Sequence, residues 1–427
     1  MFLSSNFQGK PRKKQKEETW QLFRAKNFQT LMYPCFFFCR ILGIFPYKIN
    51  ISFDNTTFEI SKPCYILSIV TISVCNTFTL IMLYIFIWCR TCFIEPFYVI
   101  KYPAMLMNCC IFMFSSILIT TTFILNDSRI RLLQAILKIS SRLPSKSYQK
   151  LSKIIHAKDI ISFLLAWLIL IYNLDINNIN YVLIFSYVIY IYLVTFQINM
   201  LYMNCVCILK ECFKEINDNL ANMQECIANN KSHVSALMYH KQKTQFLTMK
   251  LKALQKQHLE ISDTIHMLNM IFSIQLVATI VVTFSGITFC LYFYILYILE
   301  SQHFLTTDTS KSVSYESFLF LILYYVIVMV LIVWACETGK NEALQINTSI
   351  HDVFNSTTDK QMKNELQLFS LQVFHCNNTF DAKSLTLDTK LLTKMVGSIA
   401  TYVIILFQFV HMSYFCEEKA ANNITKI

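Results

Sequence analysis

Long apolar runs separated by short polar stretches dominate the chain. A helix that crosses the hydrocarbon core of a bilayer needs about 20 mostly apolar residues. Seven windows meet that requirement, at 64–89, 103–125, 160–178, 181–206, 265–299, 317–336 and 394–416. The third is the least uniform, its clean stretch running from Ile160 to Leu174 between Asp159 and Asp175. The fifth exceeds the thickness of a bilayer and is expected to project into water. The pattern therefore predicts an all-α, polytopic membrane protein of seven transmembrane helices.

Between the runs, a second periodicity appears. Leu209, Phe213, Ile216, Leu220, Met223 and Ile227 recur every three or four residues, with Lys210, Glu211, Lys214, Glu215 and Asp218 in the gaps. Leu247, Leu251, Leu254, His258, Ile261, Ile265 and Leu268 repeat the spacing ahead of the fifth window. Both stripes predict amphipathic helices that continue the spans beyond the membrane, packing either within one subunit or between subunits. Residues 228–239 lack periodicity and read as a loop. Near the start, Thr30 to Ile49 is rich in Phe but interrupted by Arg40 and Pro46, which predicts an interfacial or re-entrant helix.

Composition supports this reading and removes others. Of 427 residues, 55% are hydrophobic and 15% charged, where soluble domains carry about 25% charged residues. The five glycines form no GxGxxG and no phosphate-cradling loop, which excludes the common nucleotide-binding chemistries. The net charge of +11 lies in stretches between apolar runs, so it reads as a topology signal and not as a nucleic-acid footprint. Of the 37 Lys and Arg, 31 fall before the first span and in loops 126–159, 207–264 and 337–393. The positive-inside rule then puts those segments in the cytosol, with the N-terminus inside and the C-terminus outside. That orientation is opposite to that of G-protein-coupled receptors.

The expected organisation is a cytosolic segment with the interfacial or re-entrant helix (1–63), four spans (64–206) and cytosolic helical extensions (207–264). Two spans (265–336), a cytosolic linker or anchor (337–393), a final span (394–416) and an extracellular tail (417–427) complete it. The polar, basic stretch from Met1 to Gln29 has no apolar core of leader type.

Candidate chemistry is sparse. Ionisable residues are nearly absent from span interiors, which speaks against proton-coupled pumps and voltage sensors. His156 with Asp159, His351 with Asp352, and His375 with Cys376 read as surface or interfacial residues. No catalytic residue, metal site or cofactor is expected. The outward halves of the spans carry Trp167, Tyr172, Tyr187, Tyr190, Tyr192, Tyr292, Tyr294, Tyr297, Tyr324 and Tyr325. Interfacial aromatic belts account for several of these, and a pocket for a small amphipathic molecule is the alternative for the deeper ones.

The last window is the most specific. It contains Thr401-Tyr402-Val403-Ile404-Ile405-Leu406-Phe407-Gln408-Phe409. On a helix Thr401, Ile405, Gln408 and Met412 share one face, and Tyr402 and Phe409 another. A lone Gln at such depth is costly unless it bonds a neighbouring helix or faces water. One face can thus line a narrow pore in which isoleucines gate by dewetting and Gln408 meets hydrated ions.

This segment resembles, position for position, the Thr-Tyr, five apolar residues, Gln-Phe signature of insect gustatory receptors. Phe369-Ser370-Leu371-Gln372, His375, Phe380-Asp381-Ala382 and Leu385-Thr386-Leu387-Asp388 resemble the stretch leading into that family's last helix. Arg40-Ile41-Leu42-Gly43-Ile44-Phe45-Pro46 looks like its N-terminal segment. Ser384 stands where Gly is common and Thr386 where Phe is common. Val403 replaces the Glu usual in sugar receptors, which sets the chain apart from that subgroup. The resemblance implies a tetrameric, ligand-gated, non-selective cation channel related to insect odorant receptors and their co-receptor. Its pore would be lined by the last helix, with Gln408 and Ile405 at the constriction and Thr401 and Met412 on the same face. The ligand pocket would lie in the outward halves of the second to sixth spans, and the cytosolic stripes would form the tetramer's anchor. Implied partners are a small tastant of bitter or other non-sugar type, membrane lipids, and copies of the chain or related receptors, in the plasma membrane of chemosensory neurons. The runner-up is a seven-span G-protein-coupled receptor of opposite topology.

Overall fold

Almost every residue assigned to a span is helical in the structure, a computed structural model whose described residues are 23–51, 56–88, 98–172, 179–228, 237–303, 315–383 and 385–424. The elements run α1 (Phe28–Ile41), β1 (Tyr47–Ile51), β2 (Thr56–Ile60), α2 (Lys62–Trp88), α3 (Tyr98–Ile124), α4 (Asn126–Ser140) and α5 (Ser145–Tyr172). There follow α6 (Ile179–Ala228), α7 (Leu237–His303), α8 (Tyr315–Ser356), α9 (Lys360–His375), β3 (Asp381–Ala382), β4 (Leu385–Thr386) and α10 (Thr389–Ile424). Among the described residues six helices, α2, α3, α6, α7, α8 and α10, are long and apolar enough to cross a membrane. The window expected as the third span begins on the second half of α5, and residues 173–178 lie outside the described ones, as do 229–236 of the expected loop and Ser384.

The N-terminal segment folds differently from the sequence reading beyond Ile41. A capping box starts α1: the Asn27 side chain accepts from the Thr30 N–H at 2.9 Å, and the Thr30 hydroxyl accepts from the Asn27 N–H at 3.2 Å. One face, including Phe28, Leu31, Met32, Cys35, Phe36 and Cys39, is buried, while Tyr33, Phe37, Phe38 and Ile41 are exposed. Gly43, at φ +69°, ends the helix, and the Ile44 N–H closes back on the Cys39 carbonyl at 2.9 Å. The helix predicted to reach Ile49 therefore stops early. Tyr47–Ile51 instead pairs antiparallel with Thr56–Ile60 in a hairpin, an alternating pattern too short to stand out beside the spans.

Three helices set the scale of the molecule. At ~1.5 Å per residue, the 50 residues of α6, 67 of α7 and 42 of α8 reach lengths of about 75, 100 and 63 Å. Each is far longer than the ~30 Å hydrocarbon core, so each carries a span and an extension into water.

Both amphipathic stripes lie inside the chain. Leu209, Phe213, Ile216, Leu220 and Met223 on α6 are buried, as are Leu247, Leu251, Leu254, His258, Ile261, Ile265 and Leu268 on α7. Of the two alternatives, packing within one subunit is the one observed. What α7 and α9 leave exposed is a different set, with Phe246, Met249 and Leu259 on one and Leu368, Leu371 and Phe374 on the other.

His258 is the latch of this extra-membrane layer. Its ring sits between Phe213 and Phe369, at 5.9 and 5.6 Å between centroids. Its two nitrogens lie 3.1 Å from Gln372 Nε2 and 3.2 Å from Asn378 Nδ2. Burial holds the imidazole at a pKa of about 4, well below its ordinary value.

Candidate functional site

Two places in the bundle could carry function: the last helix, and a cavity among the spans. On α10, Leu391, Met395 and Ile399 are buried and seat its first half; α7 and α8 are the helices it packs on. Beyond Ile399 this contact thins. Thr401, Ile405, Gln408 and Met412 are all exposed on one face, and Tyr402 and Phe409 are exposed beside them. Tyr402 meets Phe284 of α7 edge to face at 5.7 Å. The Thr401 hydroxyl donates to the Gly397 carbonyl within its own helix at 3.0 Å. Gln408 bonds to no described residue of the chain, so its amide is turned outward from the bundle.

The cavity is small, about 20 Å³, and lies between α3, α6, α7 and α8. From α6 it is lined by Ile191, Tyr192, Thr195 and Asn199, and from α7 by Thr279, Val282 and Thr283. Tyr324, Tyr325 and Val328 of α8 and Ile111 and Ser115 of α3 complete the wall. Its polar groups are neutral and largely satisfy one another. Tyr192 and Tyr325 share a hydroxyl–hydroxyl hydrogen bond of 2.8 Å, and Thr279 donates to Asn199 Oδ1 at 3.1 Å. Tyr324 stands perpendicular to Tyr192 at 6.0 Å. A wall of this kind, apolar with a few phenol, hydroxyl and amide groups and no charge, suits a small neutral molecule.

Gly286 shapes one side of the cavity. A Cβ there would stand 2.6 Å from Cζ of Tyr325 and closer still to Cε2. The Tyr325 ring therefore lies close against the backbone of α7, where only glycine leaves room.

The sequence-selected aromatics separate into groups. Tyr324 and Tyr325 line the cavity together with Tyr192. The Tyr187 hydroxyl is within 2.7 Å of Thr79 Oγ1 and donates to the Cys75 carbonyl at 2.9 Å, tying α6 to α2. The Tyr190 hydroxyl donates to the Leu42 carbonyl at 2.7 Å, tying α6 to the turn after α1. Tyr292 is buried in a separate cluster with Phe289, Phe293 and Leu296, and Tyr294 is half-buried on α7. Trp167 and Tyr172 lie on α5, but their side chains are outside the described residues. Sequence reasoning missed Ser115, Thr195, Asn199, Thr279 and Thr283. A signal existed, because Tyr192, Thr195 and Asn199 share one helical face, as do Thr279 and Thr283.

These features define a class: a mostly helical, multi-pass membrane protein with an uncharged cavity between its spans. A family described as 7tm Chemosensory receptor matches residues 32–413, and the chain belongs to it, with the insect gustatory receptors. It is a receptor family and not a family of enzymes. Gustatory receptor 28b of Drosophila melanogaster is similar at 30% identity over 146 residues, which is 33% of this chain and 30% of that one. Gustatory receptor 28a of the same fly is 29% identical over 26% of this chain and 25% of its own length. The chain thus aligns with less than a third of either relative. Among solved structures, the insect olfactory receptor OR5 from Machilis hrabei shares the fold, with a TM-score of 0.65 at 13% identity over 89% of this chain and 98% of that one. The same receptor in complex with eugenol matches with a TM-score of 0.63 at 11% identity over the same shares. The alternative of a G-protein-coupled receptor is not favoured by these matches.

Proposed function

We propose that the chain is a gustatory receptor working as a tetrameric, ligand-gated, non-selective cation channel of the plasma membrane, opened by a small tastant of bitter or other non-sugar type. The observation that carries this reading is the bare face of α10. Thr401, Ile405, Gln408 and Met412 are exposed along one line of a span that is seated on α7 and α8 through Leu391, Met395 and Ile399. An amide left without a partner at that depth is costly in lipid, and copies arranged about a central axis give it water on one side and protein on the others. Ile405 then narrows the path and Gln408 contacts the hydrated ion. The N-terminus lies in the cytosol and the C-terminus outside, in line with the distribution of Lys and Arg.

The ligand enters the cavity at Tyr192, Tyr324 and Tyr325. Its lining has no ionised group, which favours a neutral compound with an aromatic or aliphatic body and one or two hydrogen-bonding groups. The complex of the olfactory receptor with eugenol supports a small-molecule ligand. Binding drives opening to the extent that the ligand prefers the open state.

The test is electrical. Cells expressing the chain should carry tastant-evoked cation currents that persist when G-protein signalling is blocked, and Gln408→Ala and Ile405→Ala should each change relative cation permeability. Unaltered permeation in both variants sinks the pore assignment. A C-terminal tag that antibodies on intact cells cannot reach sinks the orientation.

A further inference from the structure

The cavity between α3, α6, α7 and α8 is smaller than any tastant. Its volume of about 20 Å³ holds roughly one water molecule, so a ligand enters only if part of the wall moves. Most of that wall has little to give. Its aliphatic and hydroxyl members, such as Ile191, Val282, Thr283 and Val328, branch at Cβ and are stiff at χ1, and Asn199 is tied to Thr279. Among the lining residues, only the rings of Tyr192, Tyr324 and Tyr325 are large enough for their displacement to free a ligand-sized space.

Of the three, Tyr192 has room to turn. Tyr324 and Tyr325 are 4% and 2% exposed. Tyr325 is pressed against the α7 backbone at Gly286 and packs on Tyr324 at 5.5 Å between centroids. Tyr192 is only half-buried, and its ring stands off Tyr324 and Tyr325 at 6.0 and 6.2 Å. What ties it to α8 is the 2.8 Å hydroxyl–hydroxyl bond with Tyr325. Turning Tyr192 away breaks that bond and leaves the Tyr325 hydroxyl buried without a partner. An orphaned group of this kind costs more than a made hydrogen bond contributes, so whatever replaces Tyr192 must bring an oxygen within reach of it.

We propose that Tyr192 is the gate of the cavity, held shut by its bond to Tyr325, and that the ligand takes the vacated place with a hydroxyl or carbonyl oxygen against the Tyr325 hydroxyl. This rests on the reading that the cavity is the ligand site. It adds a requirement that neutrality and shape do not impose, since a hydrocarbon of the same shape is refused. A site that hydrogen-bonds a ligand oxygen rejects the analogue lacking it far more strongly than an apolar pocket rejects a missing methylene.

The experiment uses the purified full chain in phosphatidylcholine nanodiscs with p-cresol and p-xylene, molecules of one shape in which a hydroxyl replaces a methyl. Affinity is read from the rise in the unfolding midpoint with probe concentration, and comparison across variants cancels the partition of the probes into lipid. Wild type should bind p-cresol at least about tenfold more tightly than p-xylene. Tyr192→Phe removes the latch and keeps the ring. It weakens the shut cavity and leaves the open one unchanged, so it should bind p-cresol about three- to tenfold more tightly than wild type. A hydroxyl that merely shaped the pocket would give the opposite sign. Tyr325→Phe also releases the latch but offers the ligand no hydroxyl, so the preference for p-cresol should vanish. Unchanged or weaker p-cresol binding in Tyr192→Phe overturns the gate, as does an undiminished preference in Tyr325→Phe, and either result leaves the cavity standing as the ligand site. Binding of neither probe to any of the three proteins overturns the gate and the cavity together. Should Tyr325→Phe fail to fold, Tyr192→Phe decides alone, by the sign of its effect.

Discussion

Replacing Gly286 with Ala tests how the cavity is built. The added methyl would stand 2.6 Å from Cζ and 3.0 Å from Cδ2 of Tyr325, where carbon atoms ordinarily sit about 3.5–4.0 Å apart. The ring must therefore retreat by roughly 1 Å. It is held on its other sides by the 2.8 Å hydroxyl contact with Tyr192 and by Tyr324 at 5.5 Å between centroids. Overpacking of this kind costs about 1–3 kcal/mol, and losing the phenol–phenol hydrogen bond adds roughly 1 kcal/mol. Against this, Ala in a helix is better than Gly by about 1 kcal/mol. The net expectation is a loss on the order of 1–3 kcal/mol. Thermal unfolding of the detergent-solubilised chain measures it, and a double-mutant cycle with Tyr325→Ala isolates the cause. With the ring gone, Gly286→Ala should be neutral or stabilising, giving a coupling of about 2 kcal/mol. A Gly286→Ala variant as stable as the wild type, or one equally damaging in the Tyr325→Ala background, would refute the packing argument.

Stability should also depend on acid through His258. Its pKa is ordinary when unfolded and about 4 when folded, so on acidification the unfolded chain takes up the proton first. The contribution is complete above roughly pH 6.5 and declines toward pH 4, by up to on the order of 3 kcal/mol; the difference between wild type and His258→Gln across a pH series of melting curves should trace that window. Asp159→Asn should leave Lys158, whose side chain is 5% exposed, without its counter-charge and lower stability by about 3 kcal/mol, while Lys158→Met should cost less; equal losses in chemical denaturation would contradict this. Gln408→Ala and Ile405→Ala should change relative cation permeability in patch-clamp recordings without changing surface expression.

The helices and their extensions were legible because burial in lipid and burial against a neighbour leave different marks. Continuous apolarity revealed the spans, and the three-four spacing from Leu209 to Met223 and from Leu247 to Leu268 revealed which faces turn inward. What lies against those faces was not legible. A stripe such as Ile261, Ile265 and Leu268 reads the same whether it meets its own chain or another, and here it meets its own. The cavity was half visible: Tyr324 and Tyr325 stand out in an apolar run, while Thr279 and Asn199 do not, because a lone Thr in a span can satisfy itself on the preceding turn of its own helix. Arg129 was counted only as one of the charges that orient the chain, since nothing in its neighbourhood announces that Phe272, over a hundred residues later, will cover it.

Between the cavity and Tyr402 of the last helix stands α7. Val282 and Thr283 face the cavity, and the next residue, Phe284, touches Tyr402. A molecule that presses on the first two has only one helix, about 10 Å across, between itself and the signature residues of α10. Sensitivity in such an arrangement is a matter of stiffness: a helix resists compression but rolls about its own axis, and a roll of a few degrees at Thr283 moves the Phe284 ring by the same angle on the opposite side. Substitutions that loosen α7 here should therefore dull the response to every ligand alike, whereas those in the cavity wall should discriminate among them.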